Sequence, residues 1–173
     1  RDPKLNLLYV GRLSEEKGIV ELIESLMTIK MPYKLSVMGD GVLRSKCEII
    51  SDKRIKFLGF QASPWLESER YDLVIIPSFY EGFCLVGLEA ISNNIAVIAN
   101  DLPIFREILS FLPEECFFNI KDQASLQRSL LFYKSNSKMV HDLIDKNRNR
   151  LMHIFSSNNM IINYKKIYDK FLL

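Results

Sequence analysis

Leu73-Val74-Ile75-Ile76-Pro77-Ser78-Phe79-Tyr80-Glu81-Gly82-Phe83-Cys84-Leu85-Val86-Gly87-Leu88-Glu89-Ala90 opens with four apolar residues, passes through a loop and ends in helix-forming sequence. A run that is apolar at every position suits a strand covered on both faces. The stretch therefore reads as strand (Leu73 to Ile76), loop, and helix (Leu85 to Asn93).

The same grammar repeats on either side. Leu5 to Val10, Lys34 to Met38, Ile55 to Leu58, Ala96 to Ala99 and Cys116 to Phe118 read as further strands. Helices are expected at Val20 to Lys30, Leu43 to Ile50, Pro64 to Glu69 and Ile104 to Leu109. Strands that alternate with helices, each apolar on both faces, predict a doubly wound α/β domain: a Rossmann-like parallel sheet of about six strands between helical layers. After Asp122 only helices are expected: Ala124 to Tyr133, Ser137 to Phe155 and Asn158 to Leu172, with a break and new N-cap at Ser156 to Asn159. Ile161, Tyr164, Ile167, Tyr168 and Phe171 fall at helical spacing, and this tail is expected to pack back on the sheet as core.

At 173 residues with 48% apolar content, the chain can bury one real core without disulfides or metal clips, and residues 1–173 read as one domain. Cys47, Cys84 and Cys116 form an odd set without Cys-x-x-Cys spacing, which argues against a disulfide framework or zinc site and for a reducing cytoplasm. A net charge of +2 makes no case for nucleic acid. No apolar run approaches the roughly 20 residues that span a bilayer. The start at Arg1-Asp2-Pro3-Lys4, directly before a strand and without methionine, reads as a cut from something longer.

Ligands of open parallel sheets bind at the carboxyl ends of the strands, so the loops there were read first. Gly11-Arg12-Leu13-Ser14-Glu15-Glu16-Lys17-Gly18 puts two cations between two glycines ahead of a helix. A guanidinium fork and an ammonium point charge suit a diphosphate, although solvated surface charges would have the same sequence. Gly39-Asp40-Gly41 lets backbone approach a ligand or merely turns into the next helix; lacking a third glycine, it is no dinucleotide fingerprint. Glu81 in the loop and Glu89 a turn inside the helix could face one pocket and accept hydroxyls, while amides from Gly82 to Leu85 suit an anion. Trp65 reads as packing on a short helix or a stacking platform. His141 and His153 are too far apart for a metal pair, and no metal is expected.

Jointly, Gly11-Arg12-Leu13 with Lys17-Gly18, Gly39-Asp40-Gly41, Phe57-Leu58-Gly59, Pro77-Ser78, Glu81-Gly82-Phe83 and Glu89-Ala90 resemble the group 1 glycosyltransferases, whose two Rossmann-like domains form a GT-B fold. The resemblance covers nearly the whole chain and identifies it with the C-terminal, nucleotide-sugar-binding half, the N-terminal acceptor domain being absent. It implies Arg12, Lys17 and Glu81 as catalytic residues, the cations on the donor diphosphate and Glu81 on the transferred sugar. It implies Gly11, Gly39, Gly41, Arg44, Gly82, Phe83, Cys84, Leu85 and Glu89 as donor-binding, with Glu89 on the ribose.

Cys84 and Asn94 stand where the family has glycine, and Ala96 where it has proline. The first change could narrow the sugar pocket. The implied function is transfer of a sugar from a nucleotide donor, with retention and without metal or other cofactor, to a glycan or lipid-linked acceptor. Envelope polysaccharide or lipopolysaccharide synthesis is the implied setting. The parent protein is expected in the cytoplasm, with peripheral contact at the inner membrane, and this half alone is expected to be inactive. A non-catalytic nucleotide-sugar-binding regulatory module and a nucleotide-sugar epimerase remain the alternatives.

Overall fold

The computed structural model describes residues 4–171. Arg1 to Pro3 and Leu172, the expected end of the last helix, lie outside them. Six strands, β1 (Leu5–Val10), β2 (Tyr33–Met38), β3 (Ile55–Gly59), β4 (Leu73–Ile76), β5 (Ala96–Asn100) and β6 (Phe117–Phe118), form one sheet in the order β3-β2-β1-β4-β5-β6. All five pairings are parallel. β4 and β5 are buried at every residue, which explains why they are apolar apart from Asn100 at the end of β5, whereas β2 alternates buried Tyr33, Leu35 and Val37 with exposed Lys34 and half-buried Ser36.

Helices α1 (Ile19–Thr28) and α2 (Arg44–Ile50) link strands stepping outward from β1 to β3. Helices α3 (Leu85–Ser92) and α4 (Pro103–Ile108) link strands stepping the other way, from β4 to β6. Right-handed crossovers therefore put the two pairs on opposite faces, and the direction of winding reverses between β1 and β4. Helix α1 buries Ile19, Val20, Leu22, Ile23 and Leu26; truncating a leucine there would cost about 2–5 kcal/mol. Helix α3 ends through Asn94 at φ 59°, with Asn94 N–H bonded to Ile91 O and Ile95 N–H to Ala90 O. Asparagine tolerates this left-handed position, so it can stand where glycine is customary.

Helix α5 (Gln123–Ile154) begins on Asp122, whose Oδ1 accepts the Ala124 N–H at 3.0 Å. It joins two segments expected to be separate helices. The division survives as a kink at Asn136 (φ −125°, ψ 18°), where the side-chain amide bonds Phe132 O at 2.9 Å in competition with the helical ladder. No helix forms at Pro64 to Glu69: the segment is turns ending in one 3-10 turn, Ser68–Arg70. Its Trp65 packs on the core from these turns instead.

Helix α6 (Ser157–Phe171) also departs from expectation. Its periodicity is right, but none of its residues is buried, and Ile161, Tyr164, Ile167, Tyr168 and Phe171 are 49%, 55%, 52%, 63% and 83% exposed. These are not core residues, because the chain leaves α5 at Ser156 and α6 packs on the end of α5 instead of on the sheet. No helix among the described residues is long and apolar enough to cross a membrane.

Beyond the strand ends, backbone pairing continues into the loops. Gly11 N–H bonds Met38 O, Leu13 N–H bonds Asp40 O, Leu43 N–H bonds Leu13 O and Gly39 N–H bonds Gly59 O, all at 2.8–3.0 Å. Gly39 has φ 145°, and a Cβ on it would lie 1.8 Å from Gly11 O, so only glycine permits this close approach. On the other side, buried Asn100 donates from Nδ2 to Ser78 O at 2.9 Å and accepts from Ile120 N–H at 3.0 Å, tying the ends of β4, β5 and β6 together.

Candidate functional site

The winding reversal opens a crevice between the loops that follow β1 and β4. After β1 the chain makes a 3-10 turn, Glu15–Lys17, and leaves it through Gly18 at φ 63°. A Cβ on Gly18 would lie 2.3 Å from Pro77 O, and Phe79 N–H donates to Glu16 O at 2.9 Å, so the two loops are locked together. This locking brings the Lys17 ammonium to Glu81 Oε1 at 2.5 Å, across 64 residues of sequence. Ser78 Oγ donates to the same oxygen at 2.9 Å. The side chains of Lys17 and Glu81 are only 27% and 16% exposed, so water screens their attraction less than it would at a free surface.

Arg12 points outward, its side chain 74% exposed and its nearest acid, Glu16, 3.9 Å away. Beneath it the buried Tyr9 hydroxyl donates to Arg12 O at 2.7 Å. Burial raises the Tyr9 pKa far above its ordinary value, so the phenol stays a neutral donor under the loop. Ser14 Oγ donates to Glu16 Oε1 at 2.7 Å, the main reason the Glu16 carboxyl lies below its usual pKa.

Arg12 and Gly11 line a cleft of about 390 Å³ together with Val10, Met38, Gly39, Asp40, Phe60 and Gln61. Gly41 lies behind it, its backbone so close to Leu13 O that a Cβ would sit 2.4 Å away. Arg44 is neither a free cation nor a simple exposed residue: it starts α2 and bonds Asp40 at 3.3 Å and Glu48 at 2.9 Å.

The two glutamates have different partners. Glu81 is taken up by Lys17 and Ser78, whereas Glu89 Oε2 accepts the Trp65 indole N–H at 3.2 Å and borders a separate hollow with Ala62 to Leu66 and Asn93. The Trp65 ring is half-buried against the core, as a packing residue should be, but on a turn and not on a helix.

Gly82 is open: a Cβ there would meet nothing within 4 Å. Phe83 and Leu85 are exposed; the Phe83 ring stands edge-on to Phe155 at 5.5 Å and borders an apolar groove against α6. Cys84 does not narrow an open pocket. It is buried, and its Sγ lies under the first turn of α3, 2.4 Å from where a Gly87 Cβ would be. Burial pushes the thiol up to about 12, leaving it a poor nucleophile near neutral pH. His141 Nε2 lies 3.2 Å from the Tyr133 hydroxyl, and among the described residues no three His, Cys, Asp or Glu side chains group so as to hold a metal.

No sequence pattern gives Ser78, Phe60 or Gln61 a role. Ser78 was within reach, as a short hydroxyl three residues ahead of Glu81 in the same loop. Phe60 and Gln61 join the cleft only because β3 lies beside β2, which no local pattern announces.

The family profile described as Glycosyl transferases group 1 matches residues 1–150. The lipopolysaccharide 1,6-galactosyltransferase of Escherichia coli K12 is 35% identical over 105 residues, 54% of this chain and 29% of that protein. The O-antigen biosynthesis glycosyltransferase WclY of Escherichia coli is 29% identical over 92% of this chain and 45% of its own length. The chain thus spans less than half the length of these curated relatives. The Anabaena HepE structure, solved in complex with UDP and glucose, superposes with a TM-score of 0.80 at 16% identity, over 96% of this chain and 48% of that one. Its architecture is that of the present sheet and helices. With the family profile matching most of its length, this chain belongs to the group 1 glycosyl transferases.

Proposed function

We propose that this domain binds the nucleotide-diphosphate sugar of a retaining glycosyltransferase of envelope polysaccharide or lipopolysaccharide assembly. The observation that carries the reading is the Lys17–Glu81 pair at the winding reversal, beside a cleft walled by glycine backbone and Arg12. The cation that the carboxylate holds can be handed to a diphosphate, which frees the carboxylate to accept sugar hydroxyls. The exposed Arg12 supplies a second donor fork to the phosphates.

Sugar transfer breaks the bond from the anomeric carbon to the diphosphate, so charge grows on the leaving group, where Lys17 and Arg12 strengthen their hold. No enzyme nucleophile is required if the acceptor attacks on the face the diphosphate leaves. The base sits against Gly39, Gly41 and the loop after β3, Glu89 takes the ribose, and backbone near Gly82, Phe83, Cys84 and Leu85 completes the donor site without a metal. The relatives' greater length leaves room for a second domain carrying the glycan or lipid-linked acceptor and peripheral membrane contacts. Closure of that domain would exclude water, and the present domain alone would transfer little sugar.

Calorimetric titration with UDP, GDP and ADP tests the donor reading. One nucleotide should bind selectively, and the Arg12→Ala, Lys17→Ala double variant should lose about 10- to 100-fold in affinity. Equal binding by the double variant, or no binding to the wild-type chain at millimolar nucleotide, would sink it.

A further inference from the structure

Trp65 reaches Glu89 from an unrelated element, the turn segment between β3 and β4, 24 residues earlier in sequence. An indole N–H donates and cannot accept, so the contact uses one of the carboxylate's roughly four lone-pair sites and leaves the others available. The indole is itself held, half-buried against the core. The Glu89 main chain is pinned as well, its carbonyl accepting from Ser92 Oγ at 2.7 Å and Asn93 Nδ2 at 2.8 Å. An exposed glutamate with no such partner would sample many rotamers; here one carboxylate oxygen, Oε2, already has a held donor.

We infer that Trp65 is a positioning residue, its indole N–H orienting the Glu89 carboxylate to receive the two adjacent hydroxyls of the nucleotide ribose. A vicinal diol needs both of its hydrogen bonds aligned at once, so restricting the carboxylate's rotamers through Oε2 favours it over a single hydroxyl. The inference rests on the assignment of Glu89 to the ribose, and the test separates the two.

Titrate whichever of UDP, GDP and ADP binds, and its 2′-deoxy form, into the wild-type chain, Trp65→Phe, Glu89→Gln and the double variant. The wild-type chain should prefer the ribonucleotide about tenfold or more. Trp65→Phe keeps a packed ring and lacks the N–H; it should lose most of that preference, weakening the deoxynucleotide, which keeps only the 3′-hydroxyl, far less than the ribonucleotide, while its Tm stays unchanged. The double variant should discriminate no less than Glu89→Gln alone. Full preference in Trp65→Phe alongside its loss in Glu89→Gln would overturn the role of Trp65 and spare that of Glu89. Full preference in Glu89→Gln would overturn both. Equal weakening of both ligands by Trp65→Phe, or a lowered Tm, would reduce Trp65 to packing.

Discussion

The crevice between β1 and β4 and the helix α6 are held in place by opposite means. In the crevice, polar and glycine-rich loops are fixed by cross-chain bonds: Gly11 to Met38, Phe79 to Glu16, Lys17 to Glu81, Asn100 to Ser78. Helix α6 is rich in isoleucine and tyrosine, yet it is ordered mainly by its own ladder, with no residue buried. A polar loop is here more constrained than an apolar helix. Apolar periodicity shows that a helix has a sticky face, and the covering element need not lie in the same domain.

The contrast breaks first if the crevice proves tolerant. Gly39→Ala would force a Cβ to 1.8 Å from Gly11 O at φ 145° and should destabilise the chain by about 3 kcal/mol or more, lowering Tm by roughly 6–12 °C. A Tm within a degree of wild type would show that the β1 and β2 loops are loosely joined. Glu81→Gln leaves the half-buried Lys17 without a charged partner; a loss of about 1–3 kcal/mol in denaturant unfolding is expected. Pairing it with Lys17→Met should restore part of that loss, and failure to do so would mean that Glu81 matters through Ser78 alone. At the small end, Tyr164→Ser with Ile167→Ser on α6 should change stability by no more than about 0.5 kcal/mol. A fall of several degrees in Tm would mean that the domain itself uses this face.

Much of this contrast was visible in the sequence, and its limits have physical causes. β4 was legible because a strand buried on both faces is apolar throughout, and β2 because its buried and exposed residues alternate. The interruption near Asn136 was legible because an asparagine amide competes with the ladder, though it bends α5 and does not divide it. The burial of α6 was not legible, since local spacing carries no information about what lies opposite. Arg12, Lys17 and Glu81 read as charges in loops at the carboxyl ends of their strands, and the structure places them after β1 and β4. That Lys17 meets Glu81 while Glu89 meets Trp65 depends on long-range packing, which no pattern within one loop encodes.

The amide of Asn100 has one further consequence, for how this sequence can drift. Its nitrogen end faces the Ser78 carbonyl and its oxygen end faces the Ile120 N–H, so the group is directional. Aspartate has the same shape but would bring an oxygen against a carbonyl, and leucine would strand both partners in the interior. Substitutions can accumulate along the outer surface of α6 with little penalty, whereas this one interior position has almost no neutral neighbours. The loop that carries Glu81 inherits its placement from a buried amide on the neighbouring strand.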